Sequence, residues 1–344
     1  MIKPGKLKKG DKVAIVSLSS GMLGERQFIH KYYLGKKRLE EEFGLEVVAM
    51  PNALKGSKFL YENPQARADD LMQAFKDKSI KAIITAIGGD DTIRLLPYID
   101  YDVIKNNPKI FMGFSDTTIN HLMCYKAGLV SFYGPSLMAN ISEYGQMYDY
   151  EKQAIEQVLF NNNSTYEIKS SPMWTDDFVF WDEKNINVTK KMKPELIGYE
   201  VLQGSGKARG KLLGGCLELA PMLFGSEIWP SKEEWKDKIL FIDTSEEEPS
   251  CEQLTWILRG LVAQGIVDVI NGIIVGKPHG GKFYQEYKEV YKKVIAGEAK
   301  RPDLPIIYNV NFGHSIPINI IPYGVECELD CNQKTITIVE NMTI

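Results

Sequence analysis

The sequence predicts an α/β protein with an N-terminal doubly wound parallel-sheet domain, a second α/β domain and a C-terminal β-hairpin. Short apolar runs alternate with stretches of helical periodicity over residues 1–135. The same alternation resumes after residue 206, and residues 321–340 have the pattern of two strands around a turn. Such alternation is typical of parallel sheets whose helices form right-handed crossovers.

The elements of the N-terminal part follow one another regularly. Strands are predicted in KVAIVSLSS, LEVVAM, KAIITAIGG, KIFMGF and LVSFYGP. Helices are predicted between them in ERQFIHKYYLGKKRLEEEFG, NPQARADDLMQAFKDKSI, DDTIRLLPYI and TTINHLMCYKAG. Gly44 is expected to end the first helix, since glycine is common just past a helix C-terminus. Ligands of such sheets bind beyond the carboxyl ends of the strands, which singles out the loops at 88–91 and 115–116.

Residues 139–205 have a different character. ISEYGQMYDYEKQAIEQVLFNNN predicts one helix, and the polar stretch with two tryptophans after it predicts irregular or β structure. Beyond it, KILFID, VINGIIVGKP and LPIIYNVNF predict strands, and SCEQLTWILRGLVAQGI and YQEYKEVYKKVIAGEA predict helices. We therefore divide the chain into an N-terminal domain (1–138), a connector with a Trp-containing loop (139–205) and a C-terminal domain (206–344).

Composition and charge exclude several classes of function. The formal net charge of −4 gives no electrostatic basis for binding nucleic acid or an anionic membrane. No apolar run is long enough to span a membrane, and the start lacks a signal-peptide cleavage pattern. The five cysteines are scattered and form no Cys-x-x-Cys pair, so we expect reduced thiols and no metal site.

Ser115, in GFSDTT, lies between a predicted strand and a predicted helix. One hypothesis makes it an N-cap, whose hydroxyl accepts a hydrogen bond from a helix N–H. The other makes it a nucleophile on a sharp strand-to-helix turn, with helix N–H groups directed at an oxyanion. The hydrolase pattern Gly-x-Ser-x-Gly is not met, because Thr117 occupies the fifth position. The residues alone leave both hypotheses open.

A serine nucleophile needs a base, and the base needs an orienting carboxylate. His279 in GKPHGG and His314 in NFGHS both follow apolar strands, whereas the other two histidines lie in predicted helices. Asp243 ends the strand KILFID. The glutamates at 246–248 come next and also suit a helix N-terminus.

The glycine pair at 88–89, in AIGGDDTIRLL, has two interpretations. It is similar to the Gly-Gly-Asp-Gly-Thr diphosphate loop of NAD kinases, which would make the protein an ATP-using kinase. Asp91 stands where that loop has glycine, and a carboxylate there would repel phosphate. Alternatively, the glycines supply an oxyanion-binding N–H.

Trp174 and Trp181 lie in SPMWTDDFVFWDE, within the connector. They suit a hydrophobic cluster beneath a loop. They equally suit a lid whose rings stack on a flat substrate group.

Taken together, these motifs resemble those of the LD-carboxypeptidase and microcin-immunity serine peptidases. The stretches GDKVAIVSLSS, AIGGDD, PKIFMGFSDTT, SFYGPSLM, GKLLGGCLELAPMLFG, ILFIDTSEE and NFGH occur in that family's order. The resemblance covers nearly the whole chain.

The resemblance implies a Ser–acid–His triad divided between two domains. Ser115 is then the nucleophile and His314 the base. The position of the family's triad Glu is occupied by Asp243, a side chain one methylene shorter, and Glu246 is the reserve.

The resemblance further implies an oxyanion hole at the backbone N–H groups of Gly89 and Asp116, with Gly88, Trp174 and Trp181 binding substrate. Of the two tryptophans, Trp174 is the candidate for the ring that stacks on the nucleoside. Hydrolysis would need no cofactor and no metal. The favoured substrate is a peptidyl or aminoacyl nucleotide conjugate, cut as in microcin immunity. The alternative is a muropeptide that loses D-Ala.

The resemblance also implies a cytoplasmic homodimer whose partner is a small peptide or peptidyl-nucleotide substrate, with no role for nucleic acid or membrane. Two readings from other classes stay open. A kinase built on the 88–91 loop would need Mg²⁺ and nucleoside triphosphate. A non-catalytic binding protein would not react with a serine-directed probe.

Overall fold

The computed structural model describes residues 1–344, and it confirms the predicted α/β class. The chain forms two compact units. The first unit comprises residues 1–162, 177–191 and 342–344, and the second comprises residues 163–176 and 192–341. The predicted connector thus contributes to both units, and the three-part division made from the sequence stays a prediction.

The first unit contains a parallel sheet with the strand order β2-β1-β3-β4-β5. Its strands are β1 (Lys12–Val16), β2 (Glu46–Ala49), β3 (Ile80–Thr85), β4 (Ile110–Gly113) and β5 (Phe132–Tyr133). The strand order reverses between β1 and β3, which is the place where sheets of this kind bind ligands. Because β1, β3 and β4 are parallel, the loops that follow them all leave the sheet at its carboxyl edge.

The helices of the first unit lie between these strands and after them. They are α1 (Ile29–Phe43), α2 (Ser57–Glu62), α3 (Pro64–Lys76), α4 (Tyr101–Asn106), α5 (Thr118–Lys126) and α6 (Asp149–Ile155). Gly44 ends α1 in the left-handed conformation with φ 69°, as predicted. Pro64 occupies the first turn of α3, where its missing N–H costs no hydrogen bond.

Two predicted helices differ in the structure. The stretch DDTIRLLPYI forms a 3₁₀ helix (Thr92–Tyr98) that contains Pro97, which cannot donate an α-helical hydrogen bond. The single helix predicted from residue 141 to residue 163 is wrong. A π-helical turn (Leu137–Ile141) comes first, Gly145 then adopts φ 72°, and α6 begins only at Asp149.

The second unit contains an eight-stranded sheet with the order β6-β16-β15-β10-β11-β12-β13-β9. Strands β10 to β13 are parallel and form its centre, and β15 and β16 form the predicted C-terminal hairpin. Strands β7 and β8 pair separately. The strands of this part of the chain are β6 (Tyr166–Glu167), β7 (Met173–Trp174), β8 (Lys193–Pro194), β9 (Glu200–Gln203), β10 (Lys207–Cys216), β11 (Lys238–Asp243), β12 (Gly272–Gly276), β13 (Ile306–Val310), β14 (Ile321–Pro322), β15 (Glu326–Asp330) and β16 (Thr335–Ile338).

Helices connect the central strands of the second unit. They are α7 (Ala220–Leu223), α8 (Lys232–Trp235), α9 (Cys251–Ala263), α10 (Ile266–Val269) and α11 (Tyr284–Tyr291). Ser250 and Gln253 form a capping box that fixes the start of α9 after the loop that follows β11. None of the helices has the length and apolar character that crossing a membrane requires.

Candidate active site

Ser115 lies in a strained turn directly after β4. Its φ of 63° is a left-handed conformation that non-glycine residues rarely adopt, and Phe114 takes the N-cap position of the 3₁₀ turn Ser115–Thr117. The Ser115 N–H donates to the hydroxyl of Tyr133 over 3.1 Å, and the Ser115 carbonyl accepts from Thr118 over 2.7 Å. Such strain persists only where the surroundings hold it, and it clusters at active sites. Because Phe114 takes the N-cap position of this turn, Ser115 does not have it.

Two glycines after β3 pack against this turn so closely that side chains are excluded. A Cβ on Gly88 would lie 2.8 Å from the Ser115 hydroxyl oxygen and 3.2 Å from the Asp116 nitrogen. A Cβ on Gly89, which has φ 149°, would lie 2.3 Å from the hydroxyl oxygen of Ser19. The loop after β3 thus runs against both the Ser115 turn and the loop after β1.

Asp116, whose N–H is the second predicted oxyanion donor, has a buried side chain. Its carboxylate accepts from the N–H of Thr92 over 2.9 Å and from the Thr92 hydroxyl over 2.5 Å. Burial raises the pKa of Asp116, while these hydrogen bonds lower it in part. The side chain therefore ties the Ser115 turn to the start of the 3₁₀ helix after the glycine pair.

Asp91, the departure from the kinase pattern, is held by two arginines. The fully buried guanidinium of Arg67 donates to both its carboxylate oxygens, over 2.6 Å and 3.1 Å, and Arg94 donates over 2.9 Å. Arg67 also donates to the carbonyls of Leu18 and Ser19 after β1. Because its charge is engaged in this network, Asp91 fixes the loop instead of facing a phosphate.

His314 and Asp243 form a close, buried pair in the second unit. Asp243 ends β11, as predicted, and His314 lies in the loop after β13. The His314 Nδ1 and the Asp243 Oδ2 are 2.5 Å apart. Glu246, the reserve for this role, is largely exposed and lies 3.4 Å from the other ring nitrogen, Nε2. Of the two carboxylates, Asp243 is therefore the one that orients the ring through Nδ1.

The charge of Asp243 changes the proton affinity of His314. Burial alone lowers the pKa of His314, but Asp243 raises it by charge and by hydrogen bonding, and Glu246 and Glu218 add to this. The net result is a pKa above the ordinary 6.5. The imidazole is thus disposed to accept a proton, which a general base must do.

Two glycines make room for the short Asp243 side chain. A Cβ on Gly313, which has φ 74°, would lie 2.1 Å from the Asp243 Oδ2. A Cβ on Gly276, at the end of β12, would lie 2.9 Å from the Asp243 Cβ. The backbone at Gly276 and Gly313 therefore lies close to Asp243, and this compensates for a side chain one methylene shorter than that of glutamate.

Sequence reasoning did not identify Glu218 and Cys216, which lie beside this pair. The buried Glu218 accepts from the N–H and the hydroxyl of Ser245, over 2.6 Å and 2.8 Å. A lone acid within the apolar stretch GGCLELAPMLFG was the available signal. Cys216, Asp243 and His314 present ligand atoms within 4.8 Å of one another and are the residues that could hold a cation. A cation there would have to separate Asp243 from His314, and the expected independence of metal stays a prediction.

The other histidines have different surroundings. His279 is 42% exposed at its side chain and lies 3.5 Å from Glu248, in a loop. His121 is buried between Ser131 and the carbonyl of Gly113, and burial lowers its pKa to about 3. Of the four histidines, His314 alone combines burial with a carboxylate at hydrogen-bond distance, whereas the other loop histidine, His279, is partly exposed.

The two predicted substrate tryptophans lie in different units and have different surroundings. Trp174, in β7, packs against Gly281 and under the ammonium group of the buried Lys277, 4.4 Å from the ring centre. Trp174 is half-buried. Trp181 is half-buried and lines an open cavity of about 670 Å³. The cavity is lined by Arg26, Gln27, Phe28, Phe180, Trp181, Asp182, Glu183, Lys184 and Asn185.

Gly313→Ala should separate Asp243 from His314, because the new methyl group would occupy the place of the Asp243 carboxylate. We expect loss of the strongly hydrogen-bonded Nδ1 proton signal in the proton NMR spectrum. Gly225→Ala is the matched control, since Gly225 has φ 76° and open space around it. Both variants should lose about 1–2 kcal/mol from backbone strain. Retention of the Nδ1 signal in Gly313→Ala would contradict the proposed packing.

The pKa of His314 should lie above 6.5 and should fall in Asp243→Asn. A histidine whose pKa is raised on folding stabilises the protein fully below 6.5, and this stabilisation is lost as the pH rises through the raised value. The free energy of unfolding should therefore decline over that interval in the parent and less in Asp243→Asn. NMR titration of the imidazole signals measures the pKa, and denaturant unfolding measures the stability. Equal pKa values in the two proteins would exclude Asp243 as the cause.

Comparison with known proteins places these features in a family. The model of the LD-carboxypeptidase N-terminal domain matches residues 13–134, and that of the LD-carboxypeptidase C-terminal domain matches residues 209–329. The microcin C7 self-immunity protein MccF of Escherichia coli is 30% identical over 90% of this chain and 88% of its own length. A probable murein peptide carboxypeptidase of Bacillus subtilis is 28% identical over 98% and 94%.

Solved structures have the same fold. The MccF-like protein of Streptococcus pneumoniae, in complex with AMP, superposes with a TM-score of 0.87 at 37% identity and covers 96% of this chain and 98% of its own. MccF in complex with aspartyl sulfamoyl adenosine superposes with a TM-score of 0.85 at 26% identity and covers the full length of both chains. The matches to both domain models and the extent of the MccF similarity confirm the family resemblance found in the motifs. This chain belongs to the LD-carboxypeptidase family.

Proposed function

We propose that this protein is a serine peptidase or amidase that hydrolyses an amide bond in aminoacyl or peptidyl nucleotide conjugates. The observation that carries the proposal is the 2.5 Å contact between His314 and Asp243, since it provides an oriented base with a raised pKa. The strained Ser115 turn supplies the matching nucleophile. MccF and an MccF-like protein bind aspartyl sulfamoyl adenosine and AMP, which supports the nucleotide part of the substrate.

The proposed reaction proceeds in two steps. The Ser115 hydroxyl oxygen attacks the amide carbonyl carbon while Nε2 of His314 accepts the hydroxyl proton, and Asp243 stabilises the imidazolium that results. The N–H groups of Gly89 and Asp116 hold the oxyanion. His314 then gives the proton to the leaving nitrogen, and the C–N bond breaks to leave an ester on Ser115. Water, deprotonated by His314, hydrolyses this ester and restores the serine.

A murein-peptide carboxypeptidase that releases D-Ala is the second candidate. It uses the same three residues, and the similarity to the Bacillus subtilis protein favours it. The difference lies in the leaving group, which would be an amino acid instead of a nucleotide-like group. A cytoplasmic location and a homodimer remain expectations from the family resemblance.

The kinase and binding-protein hypotheses predict different properties. Phosphate binding beside the glycine pair at 88–89 would have to tolerate the Asp91 carboxylate, which Arg67 and Arg94 already bind. A kinase would depend on Mg²⁺ and nucleoside triphosphate and would survive loss of the Ser115 hydroxyl. A binding protein would not be labelled by a fluorophosphonate probe.

Ser115→Ala should abolish hydrolysis, with a loss of at least about 10³-fold in kcat/KM. The parent and the variant are each given aspartyl sulfamoyl adenosine and a muropeptide tetrapeptide, and mass spectrometry identifies the products. Release of aspartate supports the first candidate, and release of D-Ala supports the second. The control is Ser57→Ala, which removes an exposed hydroxyl at the start of α2. Turnover of either substrate by Ser115→Ala at the parent's rate would end the serine-peptidase proposal.

Trp181→Ala should raise KM for aspartyl sulfamoyl adenosine by about fivefold to a hundredfold, the usual effect of removing a base-stacking ring. Trp174→Ala is the paired variant, because the Trp174 ring is already packed against Lys277 and Gly281. Its main effect should be on thermal stability. Steady-state kinetics and thermal melts on both variants separate the two roles. A larger KM effect from Trp174→Ala would reverse the assignment.

A further inference from the structure

Lys31, on α1, is a fully buried lysine that the proposed reaction does not use. Its ammonium group donates to the carbonyls of Met138 and Ser142 over 3.1 Å and 2.8 Å. It also faces two aromatic rings, with 4.3 Å to the centre of Tyr144 and 4.5 Å to the centre of Trp181. Two carbonyls and two ring faces form a site suited to a cation.

Trp181 belongs to the segment 177–191, and several contacts attach that segment to the rest of the first unit. The Trp181 ring meets Phe28 edge to face at 6.5 Å. A buried ion pair of 2.6 Å joins Lys190 to Glu143, and the N–H of Gly145 donates to the carbonyl of Ile186 over 2.9 Å. The ion pair and the backbone bond attach the second half of the segment, whereas Phe28 and Lys31 contact the tryptophan itself.

Burial lowers the pKa of Lys31 to about 7, so its charge changes near neutral pH. The acidic neighbour Glu143 raises this pKa, and the cations Lys190 and Arg38 lower it. Other titratable groups face the same region from α1, from the turn after the π-helical segment and from the 177–191 segment. These groups are His30, Tyr144, Asp182 and Glu183.

We propose that Lys31 is a positioning residue that holds Trp181, through its positive charge, in the orientation that receives the base of a nucleotide substrate. The proposal rests on the proposed function for the identity of the ligand. The contact between Lys31 and Trp181 does not depend on the proposed function, because its cation–π geometry is independent of any ligand. Trp181 lines the 670 Å³ cavity, so a ring fixed by Lys31 gives this cavity a rigid aromatic wall.

The charge of Lys31, and not merely its bulk, is the essential feature of this proposal. A protonated amine is attracted by the negative faces of both rings, while a neutral amine loses that attraction and keeps its hydrogen bonds to carbonyls. Trp181 should therefore be held firmly below the pKa of Lys31 and less firmly above it. Binding of a base against Trp181 should weaken over the same interval.

The first test follows Trp181 without a ligand. The fluorescence of Trp181 is obtained as the difference between the parent and Trp181→Phe, between about pH 6 and about pH 8.5, on either side of the Lys31 pKa of about 7. We expect a transition near neutral pH in the parent and none in Lys31→Met. His30, whose pKa is lowered by burial, would give a transition below 6.5 that Lys31→Met retains. A neutral-pH transition that persists in Lys31→Met would overturn the proposal.

The second test measures binding of 5′-O-sulfamoyladenosine by calorimetry, since this probe does not change its charge over that pH range. The dissociation constant of the parent should rise about three- to tenfold on going to the higher pH. Lys31→Met should bind weakly at both pH values, and Lys31→Arg, which stays charged, should show no pH dependence. Lys37→Met, which changes an exposed lysine on the same helix, is the control and should behave as the parent.

The two proposals fail in different ways. If the probe binds to the parent, but neither affinity nor fluorescence responds to the charge of Lys31, the positioning role is wrong and the nucleotide substrate stands. If the fluorescence transition depends on Lys31 but the probe binds at neither pH, the contact is supported and the nucleotide substrate is wrong. Circular dichroism of both Lys31 variants shows whether they are folded. Should Lys31→Met not fold, Lys31→Arg alone decides, because a pH-dependent Lys31→Arg contradicts the proposal.

Discussion

The close approach of three strand-end loops in the first unit is the constraint on which the candidate site depends. A side chain on Gly88 would meet the Ser115 hydroxyl, one on Gly89 would meet Ser19, and one on Gly113 would lie 2.0 Å from a threonine hydroxyl of β3. Because interiors are packed to crystal-like density, these loops cannot separate independently. The left-handed Ser115 is a consequence of this packing, since the strained turn needs surroundings that leave it no alternative. A side chain on Gly88 would also lie 3.2 Å from the Asp116 nitrogen.

The charge network around Asp91 makes these loops a rigid unit. Arg67 joins the carboxylate of Asp91 to two carbonyls after β1, and it is fully buried, so breaking either contact would leave a desolvated charge. The loop that holds the glycine pair is therefore fixed by an ion pair on one side and by Ser115 on the other. This explains how an acid can occupy a position where a phosphate-binding loop has glycine. The acid organises the backbone of the loop that contains Gly89.

Strand ends were the features of the site that the sequence could predict. An apolar run that stops at a polar residue locates Ser115 after β4 and Asp243 at the end of β11, because local patterns define where a strand ends. Contacts across long sequence separations left no such pattern. Lys31 resembles any other lysine of an amphipathic helix, and its burial depends on a π-helical turn about 110 residues later. The helix predicted across Gly145 failed for the same reason, since a tertiary contact with the 177–191 segment determines that break.

The choice between Asp and Glu at position 243 shows how a local departure is compensated by the surrounding backbone. An acid one methylene shorter reaches its imidazole only if the two backbones come closer, and here Gly313 and Gly276 provide that approach. The hydrogen bond of 2.5 Å is the result, and it leaves the orienting role of the acid intact. A longer side chain in the same space would collide with the loop that carries His314, because Asp243 already lies against it. The contact between Asp243 and His314 therefore depends on four positions together, because Gly276 and Gly313 provide the space that the acid occupies.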